Sequence, residues 1–155
     1  MRIRSMARTL VLAGASLGAL AAGGCGGYGL YGKVVRGEVS DVELLYATDP
    51  RLDAQGIPNA EVLVHRDPDS LGRYVAGRDR TGTTGDFTIL MDEFGAGWMQ
   101  EEWLVQASKA GYQNAEMVMK LPAKSSKWRL LITLAPGAAA PVEAEDLMED
   151  LERFR

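Results

Sequence analysis

Cysteine and histidine each occur once in this chain of 155 residues, as Cys25 and His65. The single cysteine excludes an internal disulfide framework and a paired-thiol redox centre. The single histidine excludes the multi-histidine ligand sets common in zinc sites. It also leaves any Ser-His-Asp triad only one candidate base, and no G-x-S-x-G nucleophile elbow accompanies it. Basic residues are in the minority, 17 against 21 acidic. Nucleic-acid binding needs clustered Lys and Arg, so the balance argues against it. No apolar run reaches the roughly 20 residues of a membrane span. From residue 33 to residue 136 no segment carries a convincing helical period.

What is present begins with Arg2, Arg4 and Arg8, followed by an uncharged, Leu-, Val- and Ala-rich run from Leu10 to Ala22. A positive start and a short apolar run form the layout of a secretory signal. The run ends in Leu20-Ala21-Ala22-Gly23-Gly24-Cys25. This resembles the lipobox of bacterial lipoproteins, in which small residues precede a cysteine that receives a diacylglyceryl group. The resemblance implies that residues 1–24 are a signal peptide and that Cys25 carries two or three acyl chains such as palmitate. Stable anchoring takes more than one chain, at about 0.8 kcal/mol per buried methylene. Lipidation also accounts for a lone cysteine in an exported protein. Ala22 stands where the family prefers Leu. The competing cut is after Ala19-Leu20-Ala21, which would release a soluble chain with a free thiol. Removing the residues before Cys25 leaves 14 basic against 21 acidic residues, a formal charge of −7. Docking to anionic lipid headgroups by charge is therefore not expected. Gly26 rather than Asp follows the cysteine, which favours the outer membrane, facing the periplasm, over the inner.

Residues 25–32 hold a glycine cluster around Tyr28, Leu30 and Tyr31 and read as a flexible tether. Residues 33–136 read as short strands between Gly, Pro, Asn and Asp breaks. Val34–Val39 is the first. Val42, Leu44 and Tyr46 alternate in the next. Ala60, Val62 and Val64, then Phe87, Ile89 and Met91, and then Trp103, Val105 and Ala107 alternate in the middle ones, with a short strand at Arg73–Arg78 among them. Ala115–Leu121 and Trp128–Leu134 come last. About seven such strands predict an all-β fold, an antiparallel β-sandwich. Val62, Val64, Phe87, Val105, Ile132 and Leu134 are its expected core.

Five pieces occur in order: Val35-Arg36-Gly37-Glu38-Val39, Gly56-Ile57-Pro58-Asn59-Ala60-Glu61-Val62, Thr81-Gly82-Thr83-Thr84-Gly85-Asp86-Phe87, Lys109-Ala110-Gly111-Tyr112 and Leu130-Leu131-Ile132-Thr133-Leu134-Ala135-Pro136. Together they resemble the carboxypeptidase regulatory-like domain. That resemblance implies a transthyretin-type sandwich and a non-catalytic module that binds or organises an envelope partner. Gly82 stands where the family usually has Asp, and the segments 41–55 and 92–101 are longer than usual. The related transthyretin-like hydrolases use several histidines and a C-terminal motif that Leu151-Glu152-Arg153-Phe154-Arg155 does not match.

His65 with Glu61, Asp67 and Asp69 reads as a solvated strand end, since the spacing lacks the ligand series of a zinc or calcium site. No metal, cofactor or catalytic residue is expected. Phe94 and Trp98 lie in a Gly-rich connection leading to Trp103. Buried, they cap one end of the sandwich, which is the favoured reading. Exposed, they are a carbohydrate-binding platform or a protein grip. In the tail, residues 137–155, an Ala- and Pro-rich linker precedes an acidic stretch in which Leu147, Leu151 and Phe154 form one stripe of a short amphipathic helix. That stripe is the expected contact for an envelope partner.

Overall fold

The computed structural model describes residues 27–138. The expected signal peptide (residues 1–24), Cys25 and the expected tail stripe of Leu147, Leu151 and Phe154 lie outside the described residues. Eight strands are present: β1 (Tyr28–Arg36), β2 (Asp41–Tyr46), β3 (Glu61–Arg66), β4 (Tyr74–Arg80), β5 (Asp86–Met91), β6 (Trp103–Ser108), β7 (Ala115–Met119) and β8 (Trp128–Leu134). They form two four-stranded sheets, ordered β2-β8-β1-β5 and β4-β3-β6-β7. Every pairing is antiparallel except β1 with β8, which run parallel from Gly32 opposite Leu130 to Arg36 opposite Leu134. The described chain is thus an antiparallel-rich β-sandwich, and among the described residues no α-helix occurs.

The inner faces follow the period-2 alternation of strands. Val34 of β1, Val42 of β2, Val62 and Val64 of β3, Phe87, Ile89 and Met91 of β5, Val105 of β6, and Leu130, Ile132 and Leu134 of β8 share one core. All six residues expected to be buried are buried. The outer face of the first sheet has its own cover. Leu52, on the 3-10 turn Pro50–Asp53, packs on Val35, Leu45 and Leu131.

The glycine cluster after Cys25 is largely not a tether. β1 begins at Tyr28, and Leu30 is only 2% exposed. A Cβ on Gly32 would stand 2.5 Å from the Leu130 carbonyl oxygen and 2.4 Å from Cζ of the Phe87 ring. This glycine serves close packing at the sheet centre rather than chain freedom. The first strand also stops at Arg36, short of the expected Val39, which is exposed.

Two turns lock over β1. Ile57 donates its N–H to the Val34 carbonyl at 2.8 Å, and Val34 donates to Gly85 at 2.9 Å. Gly85 has φ of 83°, a left-handed value that favours glycine. Buried Thr81 donates its hydroxyl to the Ile57 carbonyl at 2.7 Å and accepts from the Ala60 N–H at 2.8 Å. These contacts seat Ala60 fully in the core and bring Phe87 in behind it.

Phe87→Ala empties the centre of the core and is expected to cost about 3–5 kcal/mol in denaturant unfolding. A loss under about 1 kcal/mol would contradict the register described.

Candidate functional site

One end of the sandwich gathers the start of β1, the ends of β3, β5 and β7, and the starts of β4 and β6. Tyr28 lies opposite Met91, Arg66 opposite both Tyr74 and Trp103, and Trp103 opposite Met119. The β5–β6 loop, residues 92–102, crosses this end. It is a built turn: Ala96 donates to Glu93, and Trp98 and Met99 both donate to Gly95. Gly95 and Gly97 have φ of 95° and 78°.

The expected buried cap is overturned. Phe94 is 73% exposed and Trp98 65% exposed. Ala96, not either aromatic, turns inward to the core. The space below is already filled, because a Cβ on Gly97 would run into the Tyr28 ring. The Tyr28 hydroxyl in turn donates to the Pro122 carbonyl at 3.0 Å. Burial holds that hydroxyl well above its ordinary range. Phe94 and Trp98 pair edge to face, with centroids 5.2 Å apart and planes at 85°, a favoured aromatic geometry. Trp103, expected beside them as a contact residue, is instead completely buried in β6. Its ring lies under the Arg66 guanidinium at 5.6 Å.

Arg66 is the residue that composition and spacing did not reveal. It reaches Glu93 at 3.1 Å and Glu101 at 2.9 Å, one near each end of the loop, and Asp67 at 3.9 Å. The Tyr74 hydroxyl donates to the same Glu93 oxygen at 2.7 Å. Burial works against the charge on Arg66, but hydrogen bonding with Tyr74, the hydrogen bond and charge of Glu101, and the hydrogen bond to Glu93 outweigh it and hold the guanidinium above its ordinary value. The Tyr74 hydroxyl is raised first by its bond to Glu93 and then by burial. The only sequence signal was a lone basic residue at the end of β3 facing two distant acidic ones. The pairing spans 27 residues in one case and 35 in the other.

The remaining candidates carry less chemistry. His65 lies on β3 between Val75 and Leu104. Burial, aided by the Arg73 charge, pushes its imidazole below the ordinary value. Among the described residues no three His, Cys, Asp or Glu side chains come together as a metal set. A cleft of about 290 Å³ opens on the outer face of the first sheet beside Tyr31, Lys33, Leu52, Asp86 and Arg129. Its cations are engaged: Lys33 donates to the Leu52 carbonyl at 2.8 Å, and Arg129 lies over Tyr31 at 4.9 Å and donates to the Trp128 carbonyl at 2.7 Å.

Arg66→Met leaves Glu93 and Glu101 half-buried without their cation. We expect a loss of about 2 kcal/mol, less than the roughly 3–5 kcal/mol of a fully buried pair. Adding Glu93→Gln and Glu101→Gln recovers most of it. Unfolding curves identical to those of the unmutated protein would show that the cluster does not hold the loop.

No protein-family model matches the chain, and no curated protein matches it. Among solved structures the chain is similar to part of a 9R-lipoxygenase from Cyanothece PCC8801, at 13% identity and a TM-score of 0.41. The match covers 71% of this chain and 16% of that chain. A likeness that weak carries neither fold nor activity across.

Proposed function

We propose that this is a non-catalytic lipoprotein of the cell envelope, anchored by lipid on Cys25, whose transthyretin-type sandwich binds or organises a protein partner. The observation that carries the reading is the Arg-led apolar run ending in Ala21-Ala22-Gly23-Gly24-Cys25. Support comes from β1, which begins at Tyr28, three positions after that cysteine in the sequence. A signal, an attachment residue and a β-sandwich then follow one another with almost no spacer. Gly26 favours the outer membrane, facing the periplasm. The same order of parts supports the resemblance to the carboxypeptidase regulatory-like domain, whose turns at Gly56–Val62 and Thr81–Phe87 pack together here.

The partner contact assigned to the tail is supported by where the described chain leaves the sandwich. Tyr112 bridges to Pro136, and Gly137 donates to Gly111, both at the end away from the aromatic loop. The second reading is a carbohydrate-binding module, favoured by the exposure of Phe94 and Trp98. The buried Trp103 removes one ring from such a platform. Perpendicular rings at 85° also give a sugar no shared flat face to stack on.

Cys25→Ser is expected to shift the protein from the membrane fraction to the soluble fraction, or to stall it with its signal attached. A correctly processed variant that stays with membranes would sink the lipid reading.

Deletion of residues 141–155 is expected to leave the melting temperature of the sandwich nearly unchanged. The same deletion should reduce crosslinked recovery of at least one envelope protein. Unfolding on truncation would make the tail a docked part of the core, and unchanged recovery would remove its role as a contact.

A further inference from the structure

We propose that the 92–99 loop is a membrane-seating device: Phe94, Trp98 and Met99 insert into the same lipid surface that holds Cys25. The inference rests on the lipid reading of Cys25 above, and adds to it an orientation and a second contact.

Covalent reach comes first. Cys25 precedes Gly27 by two residues, so the backbone confines its Cα to within about 7 Å of Gly27. Gly27 lies against the root of the loop: a Cβ on it would stand 2.9 Å from the Met91 carbonyl oxygen and 3.9 Å from the Asp92 Cα. Tyr28, the next residue, supports Gly97 at the loop's centre. Covalent connectivity therefore keeps the proposed lipid site within reach of the loop that carries the exposed aromatics. A bilayer holding Cys25 presents its surface to this loop at high effective concentration.

Surface chemistry points the same way. Leu71, Tyr74, Leu90, Phe94, Trp98 and Met99 are exposed, and all belong to this end of the sandwich or to the adjoining turns. At the opposite end, Val39 is the exposed large apolar residue among those described. Trp, with an apolar body and a polar N–H, is the residue type enriched at membrane–water interfaces. The carboxylates that would resist this placement, Glu93 and Glu101, are paired with Arg66. Asp92 and Glu102, at the two ends of the loop, are exposed. They cannot enter hydrocarbon cheaply, so they stop the insertion at the headgroup–acyl boundary. Docking is by apolar insertion and needs no positive patch, which suits an acidic chain.

The test uses the full lipidated mature protein on phosphatidylethanolamine–phosphatidylglycerol vesicles, with and without bromine on the acyl chains. Flotation reads the anchor. Tryptophan emission, compared between the unmutated protein and Trp98→Phe, reads the loop against the background of Trp103 and Trp128. We expect the protein to float and bromolipid to quench most of the Trp98 emission. Trp98→Phe should remove that quenched component, and adding Phe94→Trp to it should restore one. A protein that floats while Trp98 stays unquenched by bromolipid and open to aqueous acrylamide overturns the loop proposal and leaves the anchor standing. Protection of Trp98 only when envelope proteins are added, without bromolipid quenching, overturns it too and puts a protein on the loop. A protein that does not float overturns the anchor, and the loop proposal with it.

Discussion

β1 runs parallel to β8 at the middle of one sheet, from Gly32 beside Leu130 to Arg36 beside Leu134. A parallel pair needs its two strands to start at the same end and finish at the same end. Because β1 is the first strand and β8 the last, the described chain enters the sandwich at one end and leaves at the other. The nine residues of β1 separate those ends by about 26 Å, at roughly 3.3 Å per residue. An antiparallel β1–β8 pair would bring entry and exit to the same end. The polarity of the molecule follows from this one pairing. It depends on the crowded contact at Gly32, where no side chain larger than hydrogen fits between Phe87 and the Leu130 carbonyl.

At the entry end the loop between β5 and β6 solves a packing problem in an unusual way. Tyr28 and Ala96 fill the mouth of the core, so the two large rings of the loop are left outside. Arg66 ties Glu93 and Glu101 to the strand beneath and, with Tyr74, fixes the loop's two sides. Exposed Phe and Trp cost solubility in a free protein. A rigid scaffold that holds them outward at the proposed lipid-facing end would turn that cost into a means of orientation.

The core was legible because strand alternation is local. Val62, Val64, Phe87, Ile132 and Leu134 each alternate with polar or outward residues within one strand. The turns were legible for the same reason, since Gly56, Pro58 and Gly85 carry their conformational meaning in their own side chains or lack of them. What escaped was set by distance along the chain. The same glycine at position 32 suits a flexible tether and a tight crossing equally well, and only Phe87 and Leu130 decide between them. Trp103 was expected among the contact residues, but at the start of β6 it faces the core and its ring is covered by Arg66. Phe94 and Trp98 were expected to cap the core because large rings usually bury. Their exposure depends on Tyr28, which lies in a segment read as tether. The Arg66 cluster joins three segments that no local pattern connects.

The central claim is that the molecule has a lipid-facing end and a free end. The most direct measurement is amide hydrogen exchange on the full lipidated protein bound to vesicles, compared with the Cys25→Ser variant in solution. The account predicts slowed exchange confined to residues 92–99 and the turns beside them, with residues 37–40 and 109–114 at the opposite end unchanged. Slowing at residues 37–40 and 109–114, with the aromatic loop unaffected, would contradict it.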